Sequence, residues 1–224
     1  GEGALVGSPG MNAPIRAMAV ELGVAFGARV NAIAGAPGAW RLVGEGVESG
    51  PFDAVLVAVP AEQAAPLLAS HAPLLAERGM AIRSAPCWTV MAAFAAPVAL
   101  GADTIRDAGA IAWAARNSAK PGRDPGTECW VAQAHGDWSR AHLEAQPDIA
   151  MHHLLAEFAA AAGPLPELLA ATAHRWRYAF PEAACDMALW DAAAGLGACG
   201  DWLAGARVEQ AFLSGLRLAE LVGA

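Results

Sequence analysis

The sequence predicts a mixed α/β fold in two parts, and three observations carry that prediction. The first is the continuous apolar run Ala54-Val55-Leu56-Val57-Ala58-Val59, closed by Pro60. A strand of that texture is expected to lie buried on both faces of a parallel sheet. The second is a change of texture further on. Residues 87–95, 110–115 and 128–135 are apolar, partly β-branched or alternating, and read as an antiparallel sheet in a part of their own. The third is helical periodicity at 9–22, 149–162 and 208–222, which supplies the covering layers.

Each element has a local reason. In 9–22, Asn12 and Pro14 sit where an N-cap and an early helical proline belong. Ile15, Met18, Ala19 and Leu22 then recur at helical spacing, and Gly23 ends the run. Val24–Phe26 and 29–33 read as one strand bent at Gly27. The Gly-rich stretch 36–50, with a short strand at 40–43, reads as a β-meander. Residues 62–68 and 72–77 read as helices. A polar loop with two prolines fills 116–127, a second loop opens at Trp138, and Gly163-Pro164 stops the helix at 149–162. A short helix is expected at 166–170, followed by a strand over 171–178 that places His174, Trp176 and Tyr178 on one face. Residues 197–202 read as a short strand entering a tight turn. The last helix is expected to bury Ala211, Phe212, Gly215, Leu218, Ala219 and Val222.

Composition excludes several classes of function. Fourteen Lys and Arg against 22 Asp and Glu leave a formal net charge of −8 over 224 residues. Duplex binding needs a basic stripe, so no nucleic-acid partner is expected. A hydrophobic fraction of 56% with 16% charged residues is the opposite of a disordered composition. Cys87, Cys129, Cys185 and Cys199 are scattered without a CxxC pair. They read as reduced thiols of a cytoplasmic protein, acting as small buried hydrophobes. There is no signal-peptide pattern and no apolar run of about 18 residues, so no membrane span is expected. His152-His153 lacks a metal-ligand context and reads as exposed helix surface, so no metal site is expected.

The sharpest local feature is Cys199-Gly200-Asp201-Trp202, followed by Gly205 and then Arg207-Val208-Glu209-Gln210-Ala211-Phe212-Leu213-Ser214-Gly215. A helix N-terminus offers unpaired N–H groups and a positive dipole end to an anion. Gly200 and Gly205 allow close backbone approach, and Asp201 can accept hydrogen bonds from ligand hydroxyls. The same order also suits an ordinary strand–turn–helix with an N-capping aspartate.

These residues resemble the C-terminal FAD motif of the flavin amine oxidase superfamily: Gly-Asp-Trp, then Gly-x-Arg-Val-Glu, then Ala-x-Leu-Ser-Gly. More narrowly, the chain resembles the bacterial renalase-like NAD(P)/FAD-dependent oxidoreductases. Three stretches carry the narrower match: Val6-Gly7-Ser8-Pro9-Gly10-Met11, Trp113-Ala114-Ala115-Arg116-Asn117, and Ala173-His174-Arg175-Trp176. The similarity runs over essentially the whole chain. It implies an incomplete Rossmann-like FAD-binding domain over 1–78 and 181–224, and an antiparallel-sheet substrate domain with helices over 79–180. It implies FAD as cofactor, a dihydronicotinamide dinucleotide isomer as hydride donor, and O₂ as acceptor with H₂O₂ released.

Position by position, the resemblance places Gly200 and Asp201 at the ribityl or pyrophosphate region. Arg207, Val208, Glu209 and Ala211 face the flavin, Val30 contacts adenine through its backbone, and Val59 and Pro60 close the dinucleotide site. Gln210 stands where the superfamily often has Gly. Hydride transfer to a flavin needs no protein base at the donor carbon, so no catalytic triad is expected and none is present. The substrate site should offer aromatic walls and a few hydrogen-bonding groups. Arg116, Asn117, His174, Trp176 and Tyr178 are the candidates, with a structural salt bridge as the alternative role of Arg116.

No G-x-G-x-x-G fingerprint occurs, and no strand precedes Gly1-Glu2-Gly3. The first βαβ unit is therefore expected to be missing, leaving an open sheet edge that favours self-association. A flavin amine oxidase or desaturase relative with another substrate, and a truncated non-catalytic remnant, are the alternative functions.

Overall fold

A computed structural model describes residues 5–182 and 186–223. The chain opens with α1 (Ala13–Ala19), β1 (Arg29–Ala34), β2 (Trp40–Glu45), β3 (Val47–Phe52) and β4 (Val55–Val57). Helices α2 (Ala61–Leu68) and α3 (Pro73–Met80) precede β5 (Ser84–Phe94), β6 (Thr104–Ala108), β7 (Ile111–Arg116) and β8 (Glu128–Ala134). Then come α4 (Gly136–Ala141), α5 (Pro147–Ala162) and β9 (Leu168–Pro181). The chain closes with β10 (Leu189–Asp191), β11 (Leu196–Ala198), α6 (Asp201–Ala204) and α7 (Val208–Gly223). The fold is mixed α/β, with antiparallel sheets and helices. No described helix is long and apolar enough to cross a membrane.

The elements gather into two compact units. One comprises Ala25–Ala85 and Tyr178–Ala224; the other comprises the segment up to Val24 together with Pro86–Arg177. The sequence placed residues up to 78 with the nucleotide part. In the structure the segment before Val24 groups with the sheet unit instead, where Arg123 Nη2 donates to Gly7 O at 3.0 Å.

In the first unit, β1, β2 and β3 form an antiparallel meander. A separate sheet of order β10-β11-β4 contains a parallel pair: Leu196, Gly197 and Ala198 stand opposite Val55, Leu56 and Val57. Trp40, Val57, Leu68, Leu196, Trp202 and Leu203 are among its buried core side chains. The expectation that the run 54–59 is buried on both faces is corrected. Only three residues pair as a strand, and Leu56 is 46% exposed against 5% for Val57. Burial alternates along the strand, so one face packs and the other stays open.

In the second unit, the five-stranded sheet has order β6-β7-β8-β5-β9. Helix α5 covers one face, burying Leu154 and Phe158 against Phe94, Ala114, Trp130 and Ala132. The Phe158 ring lies 5.2 Å from that of Trp130.

Several local expectations change. Val24–Phe26 is not a strand: Phe26 is 89% exposed and Gly27 turns the chain at φ +70°. The short helix expected at 166–170 is replaced by the start of β9. Ala95 N–H already donates to Glu167 O at 2.9 Å, so sheet pairing overrides local preference. The loop at Trp138 is α4, and β6, exposed and short, had no pattern to reveal it. Helix α7 is rotated from its expected face. Ser214 and Leu218 are buried, while Phe212 is 49% and Val222 39% exposed.

Truncating Phe158 removes a ring packed between α5 and the sheet. Phe158→Ala is expected to cost about 3–5 kcal/mol, while Phe26→Ala stays within about 0.5 kcal/mol. Urea unfolding midpoints of the two variants check this contrast.

Candidate functional site

The parallel strands β4 and β11 end at the same side of their sheet, and each leaves into a turn. This is where open α/β sheets place ligands. Past β4 the chain reaches Val59 and Pro60, the latter preceding α2. Past β11 it reaches Cys199, whose N–H donates to Val57 O at 3.1 Å, and then Gly200 and Asp201. The structure therefore brings together Val59, Pro60, Gly200 and Asp201. Val30 joins them through a small apolar notch of about 150 Å³, lined by Val30, Leu42 and residues 55–59.

Gly200 is required by geometry. Its φ is +152°, and a Cβ there would stand 2.8 Å from the Trp202 ring. Two side chains that the sequence reading missed hold this turn. Ser214 Oγ, fully buried on α7, accepts the Gly200 N–H at 2.9 Å and donates to Met187 O at 2.6 Å. Trp202 Nε1 donates to Val59 O at 3.1 Å, tying the two strand exits together. The signal for Ser214 was a hydroxyl inside an apolar helical stripe, which needs a backbone partner when buried. That anchor is also why α7 turns this face inward rather than Phe212.

Burial pushes the Asp201 carboxyl above its ordinary value, against the backbone N–H groups of Trp202 and Asp201 itself, which favour the charged form. Burial likewise raises the Cys199 thiol. Arg207, Val208 and Glu209 are exposed at the start of α7, with Val208 78% exposed, and Ala211 is half-buried. Gln210 is half-buried, and its Cγ lies 3.6 Å from where a Gly205 Cβ would be, so it packs back toward Gly205.

The second unit carries a cavity of about 430 Å³ on its sheet. Met91 and Ala93 of β5, Cys129 and Val131 of β8, and Ala170 and Thr172 of β9 line it, with Asn117 at the end of β7. Met91 pairs with Val131 and Ala93 with Cys129, so these side chains share one face. Asn117 thus reaches the cavity. His174 and Trp176 continue the face of Thr172 along β9, beyond the residues that line the cavity, with their rings edge-on at 4.4 Å. Tyr178, on the same alternation, falls in the other unit.

Arg116 is turned away into a network. Its Nη1 donates to Glu128 Oε1 at 2.5 Å, and its Nη2 donates to Val98 O and Leu100 O at 3.3 and 3.1 Å. Its Nε lies 2.9 Å from Asp103 Oδ1, and its guanidinium sits 4.9 Å from the Trp130 ring centre. Glu128, an acid opening an apolar strand two residues before a tryptophan, was the overlooked sign of this pair. Burial alone would raise the Glu128 carboxyl. The Trp130 indole N–H, the Val98 N–H and the Arg116 guanidinium outweigh it and hold the group below its ordinary range.

A parallel strand pair opening onto a glycine turn, together with a separate sheet unit bearing an apolar cavity, defines a two-unit mixed α/β protein with a known oxidoreductase fold. The model of the flavin-containing amine oxidoreductase family matches residues 1–223, and the chain belongs to that family. A protein assigned as a protoporphyrinogen oxidase from Exiguobacterium sp. 255-15 is similar in fold, at TM-score 0.64 and 14% identity, over 86% of this chain and 46% of that one. An oxidoreductase from Methanosarcina mazei is similar at TM-score 0.59 and 16% identity, over 86% and 48% respectively. The chain thus spans about half the length of these solved structures.

An acid with a depressed folded pKa contributes stability above its unfolded pKa and loses it as pH falls through the folded value. Glu128→Gln leaves Arg116 with only the exposed Asp103 carboxylate and is expected to cost about 1–3 kcal/mol near pH 7. The difference from the unsubstituted chain should shrink as pH falls below the ordinary carboxylate range. Denaturant midpoints across that range test it, and a constant gap refutes the assignment.

Proposed function

We propose that this chain forms part of an FAD-dependent, renalase-like oxidoreductase that oxidises dihydronicotinamide dinucleotide isomers. The observation that supports the reading most is the meeting of Val59 and Pro60 with Gly200 and Asp201 at the carboxyl ends of β4 and β11. A dinucleotide requires close backbone approach at such a place. Gly200 supplies a turn without a side chain, the apolar notch beside Val30 suits an adenine ring, and the exposed first turn of α7 presents N–H groups. These residues fit the cofactor.

On this reading Asp201 accepts hydrogen bonds from cofactor hydroxyls, while Arg207, Val208, Glu209 and Ala211 border the flavin. FAD, held at the Gly200 turn and the first turn of α7, would supply a two-electron acceptor for the donor hydride, with O₂ as the final acceptor and H₂O₂ as the product. The protein contributes binding, orientation and exclusion of water rather than a general base. In the sheet unit, Asn117 offers a carboxamide to the substrate within largely apolar surroundings, and His174 and Trp176 offer ring surfaces. Arg116 contributes indirectly, through its ion pair with Glu128.

FAD equilibrated with the purified chain and then desalted is expected to leave about one flavin per chain, visible in its absorption bands. Gly200→Ala places a Cβ against the Trp202 ring and should release the flavin, while Phe26→Ala should retain it. A colourless native chain overturns the cofactor assignment. Retained flavin without peroxide from 2- or 6-dihydroNADP overturns only the substrate.

A further inference from the structure

The carboxylate of Glu128 is the most heavily engaged acid among the described residues, and nothing in the proposed chemistry uses it directly. Its side chain is only 8% exposed. Oε1 accepts from Trp130 Nε1 at 2.8 Å, from Arg116 Nη1 at 2.5 Å and from Val98 N–H at 3.1 Å. Oε2 accepts from Ser118 Oγ at 3.4 Å. These donors come from β8 itself, the end of β7, the segment after β5 and the loop after β7.

Two of the donors are Arg116 and Ser118, which flank Asn117. Arg116 closes β7, and Asn117 and Ser118 open the turn that follows it. Arg116 and Ser118 both bond the carboxylate, while Asn117 between them lines the cavity beside Cys129. The backbone completes the clamp. Asn117 N–H donates to Cys129 O at 2.7 Å, and Cys129 N–H donates to Ser118 Oγ at 3.3 Å. The segment 116–118 is therefore fastened to β8 through both its side chains and its backbone.

We infer that Glu128 is a positioning residue for the cavity of the sheet unit: by gripping Arg116 and Ser118, it aims the Asn117 carboxamide at whatever ring the cavity receives. The role rests on the reading of this cavity as the substrate site. It reassigns Arg116 from substrate ligand to a strut, and it makes Ser118 the second strut. A carboxamide held in this way selects ligands with a matching donor–acceptor edge, such as a primary amide on a ring. A fixed polar group recognises such an edge at lower entropic cost than a mobile one.

Alkylation of Cys129 by iodoacetamide, followed by peptide mapping on the full chain, reads the clamp without any ligand. Ser118→Ala should raise the Cys129 rate about tenfold, the factor for one hydrogen bond to a charged group, and Ser118→Thr should restore it. Protection of Cys129 by 2- or 6-dihydroNADP then reads the aim of Asn117. Asn117→Ala and Ser118→Ala should each weaken protection, and the double variant should be no weaker than Asn117→Ala alone. A purely structural role of the clamp would instead make the two losses add. Unchanged alkylation in Ser118→Ala overturns the inference, as does additivity in the cycle. Faster alkylation in Ser118→Ala, reversed in Ser118→Thr, with no protection by 2- or 6-dihydroNADP in any form supports the clamp and overturns the substrate reading. Glu128→Gln serves as a further probe, and Ser118→Ala keeps the test open if that variant does not fold.

Discussion

Buried backbone groups at the ends of strands must find partners, and in each unit a few large or hydroxylated side chains supply them. Much of the apolar content is alanine, which buries little area per residue and places few constraints on loops. Four buried tryptophans do both jobs at once. Trp40 Nε1 donates to Ala194 O at 2.8 Å, Trp88 Nε1 to His142 O at 3.0 Å, and Trp202 Nε1 to Val59 O at 3.1 Å, while Trp130 Nε1 takes the Glu128 carboxylate. Each ring fills core volume, and each N–H fastens a second chain segment or side chain to it. The two fully buried serines act in the same way from the other side. Ser139 Oγ accepts the Trp88 N–H at 3.0 Å, and Ser214 Oγ accepts that of Gly200.

This division of labour explains why both candidate sites sit beside tryptophans. The turn at Gly200 has a backbone conformation that no ordinary side chain favours, and its neighbours bear the cost. Trp202 occupies the space a Cβ would need, and Ser214 accepts the Gly200 N–H just before α6. In the sheet unit, Trp130 lies under the Arg116 guanidinium and donates to the acid that neutralises it. Ion pair, ring contact and indole hydrogen bond converge on one end of β8. Such convergence makes a buried charge tolerable, because each charge meets an opposite charge and further hydrogen-bond partners.

The parts legible in the sequence are those with a repeating signal. The long helix α5 lies close to where its periodicity places it, because its apolar stripe packs on a sheet as that pattern requires. The central strands of the five-stranded sheet follow their apolar runs for the same reason. The illegible parts depend on partners distant in sequence. The start of β9 is set by its neighbour across the sheet, not by the prolines beside it. The rotation of α7 is set by one hydroxyl meeting backbone at Gly200 and Met187, and a hydrophobic pattern cannot register a polar anchor. The commitments of Arg116 follow the same logic. Its neighbour in sequence, Asn117, suggested a shared role, yet Arg116 bonds the Glu128 carboxylate while Asn117 lines the cavity.

A hydride transfer between rings asks the protein for distance and orientation, not for a titrating group. The titratable groups with shifted behaviour in these units answer to structure. Cys87 and Cys199 are raised by burial, and Glu128 is held down by the donors that fix a loop. Asp201 is the exception in kind. Burial raises its carboxyl, but it lies at an exit of the parallel pair, next to the glycine turn, rather than within a core. A carboxylate placed so incurs a desolvation cost that a neutral residue would avoid. That cost is offset when hydroxyl donors of a ligand replace the lost water, which is the electrostatic reason for reading Asp201 as a binding group and Glu128 as a supporting one.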